Sequence, residues 1–293
     1  MVAGQLGRRV AVAAVGIPLG LVLLYLGGWI LTAAMGVIAL LATRELFALG
    51  EVQGVRPFSA VGMAGSLALV LAAGAGRSFA EAAPWQLGII LGVFLLTSAL
   101  AVKLRWPDGR PMAAISLTLL GVVVGGGCFS FAVFLWHLPL TVTWVGAGLP
   151  TPGLLLVAFP LAVTWVGDTF AYFMGRRFGR RKLCPPVSPG KTVVGGIAGL
   201  VGSVLVGALV GWVFLTFHPH TGVSVALGAC MALALGVGAQ VGDLAESVTK
   251  REAGVKDSGN LLPGHGGVLD RFDGLIFNLP LAYLLYHVVG FFH

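Results

Sequence analysis

Long apolar runs, broken only by short polar or turn-forming segments, dominate the pattern along this chain. A membrane-spanning helix needs about 20 apolar residues, and runs of that length recur without the period-two alternation of membrane β-strands. The pattern predicts an all-α, polytopic integral membrane protein with about nine transmembrane helices. We expect the spans near residues 10–26, 29–48, 59–75, 86–103, 112–136, 153–174, 193–216, 223–241 and 274–292.

Composition supports the same class. Hydrophobic residues make up 57% of the 293 positions and charged residues only 10%, against about 25% charged residues in an ordinary soluble domain. So few charges could not cover a water-exposed surface, which excludes soluble enzymes and soluble binding modules. Glycines four apart, such as Gly195 with Gly199 and Gly207 with Gly211, are typical of helices that pack closely in a bilayer.

Basic residues predict the orientation. With nine spans and a cytoplasmic N-terminus, all of the 18 Lys and Arg residues except Arg77 fall on the cytoplasmic side. Cytoplasmic loops carry the excess of basic residues in membrane proteins, so this distribution favours both the span count and the orientation. We expect a protein of a bacterial-type inner (plasma) membrane with its N-terminus in the cytoplasm.

Acidic residues divide the chain into two regions. Six of the eleven acids lie between residues 243 and 273, and a second polar block runs from Asp168 to Thr192. Residues 1–150 contain no cluster of acids. The distribution predicts a transmembrane scaffold over residues 1–150 and a transmembrane catalytic region over residues 151–293, within one membrane unit. Both polar blocks lie at predicted cytoplasmic loops, so we expect the chemistry on the cytoplasmic face.

The stretch 242–274 concentrates the candidate chemistry. Asp270 and Asp273 are three residues apart and share one helix face at the start of the last predicted span, and Asp243 follows the preceding span. Carboxylates at the membrane margin are costly unless cations or metal ions pair with them. Hard oxygen ligands without a His or Cys cluster favour Mg²⁺ over zinc. A solvated charged loop is the alternative interpretation.

Groups suited to phosphate binding alternate with these acids. The cations that could neutralise phosphates are Lys250, Arg251, Lys256 and Arg271. The turn Pro263-Gly264-His265-Gly266-Gly267 is rich in glycine, so its backbone N–H groups can approach an anion closely. His265 lies inside this turn, between the acids.

The second polar block begins with Asp168, a carboxylate within an apolar span, which is a functional candidate, with helix packing as the alternative. It ends with Ser188-Pro189-Gly190-Lys191-Thr192, where Lys191 beside two hydroxyls suits a phosphate contact. Gly-Lys-Thr also ends the Walker A loop, but the first glycine of that motif would fall at Pro185 and no strand is expected before it. A P-loop is therefore excluded.

At these residues the chain resembles the phosphatidate cytidylyltransferases, or CDP-diacylglycerol synthases. The family signature reads S-x-apolar-K-R, four residues, K-D, and later H-G-G and D-R-x-D. The matching residues are Ser247, Lys250, Arg251, Lys256, Asp257, Pro263, His265, Gly266, Gly267, Asp270, Arg271 and Asp273. The segments Asp168–Arg176 and Ser188–Thr192 are also similar to the family, whereas Thr249 replaces a usual apolar residue. The resemblance covers about residues 165–280.

The resemblance implies condensation of CTP with phosphatidate to give CDP-diacylglycerol and pyrophosphate in phospholipid biosynthesis. It implies Mg²⁺, with a second cation allowed, held by Asp243, Asp270 and Asp273. The implied catalytic residues are Asp243, Lys250, Arg251, Lys256, Asp257, His265, Asp270, Arg271 and Asp273. The implied substrate-binding residues are Asp168, Ser188, Lys191, Thr192, Gly264, Gly266 and Gly267.

The expected partners are CTP, phosphatidate in the bilayer and, as the family suggests, a second copy in a homodimer; no nucleic acid is expected. Two alternatives stay open. One is another CTP-dependent lipid enzyme, such as a lipid kinase or a CDP-archaeol-type synthase. The other is a transporter with Asp168 on an ion path, which is disfavoured because the acids cluster on one face and no matching broken helices appear in two halves.

Overall fold

The computed structural model describes residues 14, 16–139, 152–217, 224–259, 261 and 266–290. The helices are α1 (Gly16–Leu26), α2 (Gly28–Val52), α3 (Ser59–Gly76), α4 (Phe79–Leu104), α5 (Pro111–Gly121), α6 (Cys128–His137), α7 (Pro152–Phe178), α8 (Val193–Phe217), α9 (Val225–Glu252) and α10 (Leu269–Val288). A π-helical turn, Val122–Gly127, joins α5 to α6. The strands β1 (Lys182–Cys184) and β2 (Ser188–Thr192) pair antiparallel.

Seven helical segments in the described part of the chain are long and apolar enough to cross a membrane. They are α2, α3, α4, the continuous α5–α6 rod, α7, α8 and α9. The all-α, polytopic class predicted from the sequence is therefore confirmed. The count of nine spans stays a prediction, because α1 is shorter and α10 is not among these seven.

By packing, the described residues form two compact units. The first unit contains residues of Met1–His137 and of Thr249–Phe272, and the second contains residues of Leu138–Val248 and of Asp273–His293. The segment 249–272 belongs to the first unit, with the N-terminal helices, and the boundary expected at residue 150 stays a prediction. The assignment of scaffold and catalytic roles to the two halves of the sequence stays a prediction.

In the first unit, α2, α3 and α4 pack in succession, and the α5–α6 rod packs against α2 and α3. Phe129 and Phe134 of α6 are fully buried. The hydroxyl of Thr43 on α2 donates to the Oγ of Ser66 on α3, at 2.9 Å. A polar contact of this kind joins helices in an apolar environment, where hydrophobic surface alone gives little preference between partners.

In the second unit, glycines allow α7, α8 and α9 to approach closely. A Cβ atom added to Gly199 would lie 3.2 Å from the carbonyl oxygen of Gly167, and one added to Gly211 would lie 2.6 Å from that of Ser224. The prediction that glycines four apart mark close helix packing is confirmed at these positions.

Helix α9 extends beyond its predicted span, which ends at residue 241, and continues to Glu252. It ends in a Schellman motif in which Gly254 has a φ of +70° and the N–H of Val255 donates to the carbonyl of Lys250. Residues Asp243 to Glu252 therefore lie on a helix and not in a loop. Their helical placement sets the direction in which the functional side chains of this segment point.

Candidate functional site

A cavity of about 620 Å³ lies in the second unit. Small-molecule sites typically measure about 300–1,000 Å³, so the cavity has room for a ligand. The lining residues are Asp168, Ala171, Tyr172, Gly175, Arg176, Gly179, Lys182, Leu183, Ser188, Gly190, Lys191, Thr192, Gly195, Gly196, Gln240 and Asp243. The structure thus brings together the five predicted residues Asp168, Ser188, Lys191, Thr192 and Asp243.

Four elements shape this cavity: the end of α7, the β1–β2 hairpin, the start of α8 and the part of α9 that carries Gln240 and Asp243. Thr192 caps α8, because its Oγ1 accepts a hydrogen bond from the N–H of Gly195 at 3.1 Å. The first turn of a helix carries positive partial charge and N–H donors without partners in the helix, which favour a bound anion. The expectation that no strand precedes Ser188 is wrong, since β1 does; Pro185 still excludes a P-loop.

Lys191 and Asp243 form an ion pair inside the cavity. The Lys191 Nζ and Asp243 Oδ2 atoms are 2.6 Å apart, and the two side chains are 25% and 34% exposed. Oδ1 of Asp243 has a long contact of 3.4 Å with the Ser247 hydroxyl. Because water reaches both partners, a charged ligand can replace either one at modest cost.

A second polar cluster lies in the first unit, around Asp270. The Lys250 Nζ and Asp270 Oδ1 atoms are 2.6 Å apart, with side chains only 11% and 5% exposed. Oδ2 of Asp270 accepts hydrogen bonds from the N–H groups of Ser258 and Gly267, both at 2.8 Å, and from the Ser258 hydroxyl at 3.0 Å. We call Glu45, Lys250, Ser258, Gly267 and Asp270 the buried network. Both oxygens of Asp270 are engaged by protein donors.

These donors also set the protonation of Asp270. Burial raises the pKa of its carboxyl, but the hydrogen bonds from Lys250, Gly267 and Ser258, together with the charge of Lys250, outweigh burial. The pKa of Asp270 is therefore held below its ordinary value. The carboxylate is ionised at neutral pH.

Glu45 belongs to this network, and it is not among the residues that the sequence motifs predict. It lies on α2 within the predicted scaffold, and it is only 9% exposed. Its carboxylate accepts hydrogen bonds from the N–H groups of Val268 and Leu269, both at 2.8 Å, and from the Ser258 hydroxyl at 2.9 Å. The signal that could have found it is an acid inside the predicted span 29–48, because a carboxylate within a span is a functional candidate by itself.

The remaining predicted residues have different environments. Four of the predicted residues in the segment 249–272 are exposed: Arg251, Lys256, Asp257 and Arg271. Gly266, with a φ of +79°, precedes Gly267 next to the Asp270 carboxylate. Asp270 lies in the first turn of α10 and Asp273 follows on the same helix, as the spacing predicts. Gly264 and His265 lie outside the described residues.

The predicted metal ligands fit Mg²⁺ by chemistry, since carboxylate oxygens are its preferred protein ligands. Their arrangement fits less well. Among the described residues, no group of three or more His, Cys, Asp or Glu side chains converges as a metal site would require. Asp270 in particular has both oxygens taken by Lys250, Ser258 and Gly267.

Helices α9 and α10 approach each other in the second unit, where they carry Asp243 and Asp273. A Cβ atom on Gly242 would lie 2.7 Å from the carbonyl oxygen of Asp273. This close approach brings the two backbone segments that carry the acids next to each other. The metal site formed by Asp243, Asp270 and Asp273 stays a prediction.

The cavity combines three cations with two acids. Arg176, Lys182 and Lys191 line it, together with Asp168 and Asp243. With the N-terminus of α8 at its wall, the excess of positive charge suits a phosphate-bearing ligand. Electrostatic stabilisation of phosphoryl chemistry requires this combination of cations and N–H donors.

Comparison with known proteins agrees with this chemistry. The phosphatidate cytidylyltransferase of Synechocystis sp. is 38% identical over 292 residues, covering 94% of this chain and 94% of that protein. The phosphatidate cytidylyltransferase of Staphylococcus aureus (strain COL) is 33% identical over 283 residues, covering 94% and 97%. Phosphatidate cytidylyltransferase 4, chloroplastic, of Arabidopsis thaliana is 35% identical over 304 residues, covering 96% and 73%.

A family model described as the cytidylyltransferase family matches residues 7–289. The match includes residues of both compact units and the polar segments that line the cavity and form the buried network. The resemblance that the motifs indicated is confirmed, and this chain belongs to the cytidylyltransferase family.

Proposed function

We propose that this protein transfers the cytidylyl group of CTP to phosphatidate, giving CDP-diacylglycerol and pyrophosphate. The observation that carries the proposal is the cation-lined cavity at Lys191, in a chain similar over nearly its whole length to proteins named phosphatidate cytidylyltransferase. The cations of such a cavity can neutralise the phosphate charges of a phosphate-bearing lipid and of a nucleoside triphosphate.

In the proposed reaction, an oxygen of the lipid phosphate attacks the α-phosphorus of CTP. The new P–O bond forms as the bond between the α-phosphorus and its bridging oxygen to the β-phosphate breaks, and pyrophosphate leaves. A phosphate monoester is already ionised near neutral pH, so the nucleophile needs little help from a general base. The main barrier is the approach of two anions, which cations and N–H donors lower.

Lys191 is the residue we assign to a substrate phosphate. Its present partner, Asp243, is partly solvated, so the ion pair can open when a phosphate offers more acceptor oxygens. Arg176 and Lys182 line the same cavity and add positive charge. Asp168, Ser188 and Thr192 lie on its wall, where we assign them to substrate binding.

Mg²⁺, with a second cation allowed, is part of the proposal. It would be held by Asp243 and Asp273, and it would supply positive charge that neutralises the nucleotide phosphates. Asp270 could bind the ion only if the protein donors on its carboxylate were displaced, so we assign Asp270 to the buried network and not to the metal. A titration of activity with Mg²⁺ tests this: D243N and D273N should each raise the Mg²⁺ concentration needed for half-maximal rate, and unchanged curves would remove the assignment.

The experiment that tests the function uses purified protein in detergent with phosphatidate, Mg²⁺ and CTP labelled separately in the cytosine ring and at the γ-phosphate. We expect the ring label in the lipid product and the γ-label in pyrophosphate. The γ-label in the lipid would indicate a lipid kinase instead. Absence of any lipid product would contradict the proposal and leave a transporter or a synthase for another lipid.

We also propose a cytoplasmic N-terminus and a cytoplasmic active site, from the distribution of basic residues. A tag in the segment 137–152 should be accessible from outside the cell, and a tag in the segment 176–191 only from inside. If both tags report the same side, the number of crossings between them is wrong. A homodimer, suggested by the family, stays a prediction that the molecular mass in detergent can test.

A further inference from the structure

Glu45 makes three hydrogen bonds that no part of the proposed reaction requires. Its Oε1 accepts from the N–H of Val268, and its Oε2 accepts from the N–H of Leu269 and the hydroxyl of Ser258. Leu269 is the first residue of α10 and Val268 directly precedes it, where a negative charge is favourable because the helix N-terminus is positive. Glu45 thus joins α2 to two separate points of the segment 258–269.

Asp270 is held by the same two points. Ser258 donates its hydroxyl and N–H to Asp270, and the N–H of Gly267, next to Val268, donates to Asp270 as well. The Ser258 hydroxyl lies within 3.0 Å of a carboxylate oxygen from each acid, although it has a single hydrogen to donate. The positions of Glu45 and Asp270 are therefore coupled through Ser258.

Glycines leave the space that this arrangement needs. A Cβ atom on Gly267 would overlap with Oε2 of Glu45 and with the Ser258 hydroxyl, and one on Gly259 would lie 2.8 Å from Oε1 of Glu45. The backbone around the Glu45 carboxylate is thus packed against it without room for a side chain. A small displacement of Glu45 would be transmitted directly to Ser258 and Gly267.

We propose that Glu45 is a positioning residue for cytidylyl transfer. It holds Ser258 and the start of α10 in the one geometry that fixes Asp270 and its ion pair with Lys250. This inference rests on the proposed function. A full carboxylate is required, because a glutamine at this position would turn its NH₂ group towards one of the three donors. This role differs from the scaffold role predicted for residues 1–150, because Glu45 would fix the position of one particular carboxylate, that of Asp270.

The kinetic test compares Glu45→Gln with Glu51→Gln, the same change at an exposed position of the same helix. We expect E45Q to lower kcat by about 10- to 100-fold with the KM values for CTP and phosphatidate nearly unchanged. The reason is that Lys250 and Asp270, which the family resemblance implies are catalytic, would lose their fixed positions, and a misplacement of about 1 Å can cost about 100-fold in rate. E51Q should match the wild type. Glu45→Asp keeps the charge and should recover part of the rate. A kcat for E45Q close to that of E51Q would overturn the proposal.

Amide hydrogen exchange gives a readout that needs no substrate. In E45Q, the N–H groups of Gly267, Val268 and Leu269 should exchange faster, while those of α8 keep their wild-type rates. Unchanged exchange at these three positions would overturn the proposal. If the wild type forms no CDP-lipid, the proposed function fails, and the exchange rates still decide whether Glu45 holds this segment.

A second variant covers the case in which E45Q does not fold. Ser258→Ala removes the hydroxyl that joins Glu45 to Asp270 and keeps both carboxylates. We expect S258A to lower kcat at constant KM. A kcat equal to the wild-type value would overturn the coupling between the two acids.

Discussion

Two Lys–Asp ion pairs of the same length serve as an internal comparison. Lys191–Asp243 in the second unit and Lys250–Asp270 in the first unit both have an N–O distance of 2.6 Å. The Lys191 and Asp243 side chains are 25% and 34% exposed, against 11% and 5% for Lys250 and Asp270. Asp270 also accepts hydrogen bonds from the N–H groups of Ser258 and Gly267, both at 2.8 Å, whereas the contact of Asp243 with the Ser247 hydroxyl is long, at 3.4 Å.

The difference separates two tasks. A solvated pair contributes about 0–1 kcal/mol and can exchange one partner for a substrate phosphate. A buried pair is costly to break, because removal of one partner leaves an uncompensated charge. The cavity pair therefore suits substrate binding, and the buried pair suits the maintenance of geometry. Distance alone does not distinguish them; burial and additional donors do.

The largest expected effect is that of Asp270→Asn. The change removes the carboxylate partner of Lys250 in a buried place, which should cost about 3–5 kcal/mol of unfolding free energy and abolish turnover. Asp243→Asn is the matched change in the solvated pair and should cost no more than about 1 kcal/mol. Equilibrium SDS titration in detergent micelles measures both. Equal losses of stability would contradict the distinction between the two pairs.

The double variant K250M/D270N sharpens this prediction. Replacement of both members of a buried ion pair by uncharged side chains is often neutral for stability. We expect the double variant to be more stable than D270N alone and to remain inactive. Recovery of activity along with stability would mean that the pair serves only folding.

A smaller effect is expected from Gly267→Ala. The added Cβ would overlap with Glu45 and Ser258, and overpacking of this kind costs about 1–3 kcal/mol. Gly190→Ala is the control in the cavity, because nothing lies within 4 Å of the position its Cβ would take. G190A should leave the unfolding midpoint unchanged. A loss for G190A as large as that for G267A would show that the buried network is no more tightly packed than the cavity wall.

The smallest effect concerns acid stability. The pKa of Asp270 is lower in the folded protein than its ordinary value, so its stabilisation is fully present above the unfolded carboxyl pKa of about 3.9. It is lost as the pH falls through the lower folded value. Between about pH 5 and about pH 3 the wild type should therefore lose more stability than D270N. Parallel pH profiles for the two proteins would contradict this contribution.

Local patterns in the sequence predict the seven helical segments that are long and apolar enough to cross a membrane, and much of the cavity. The length of an apolar run is a property of one segment, and the segment Ser188–Thr192 carries Lys191 next to the residue that caps α8. Asp168 is a candidate because an acid within an apolar span is costly, and it lines the cavity as a substrate-binding assignment requires. These signals need no knowledge of distant contacts.

The buried network depends on contacts that the pattern does not contain. Glu45 and Ser258 are 213 residues apart in the chain, and only the folded structure brings the carboxylate to the hydroxyl. Spacing places Asp270 and Asp273 on one helix, but the partners of Asp270 are set by Ser258, Gly267 and Lys250. The metal assignment of Asp270 follows from residue type, which does not reveal that protein donors already engage both oxygens.

The most direct test of the substrate site is the kcat/KM for CDP-lipid formation in Lys191→Ala compared with Arg180→Ala. Arg180 is an exposed cation of the same polar segment that does not line the cavity, so its loss removes a charge without removing a cavity contact. A charge-assisted contact to a substrate phosphate is worth about 1.5–3 kcal/mol, so K191A should lower kcat/KM by about 10- to 150-fold while R180A stays near the wild type. Equal and small effects of the two substitutions would contradict the assignment of this cavity as the substrate site.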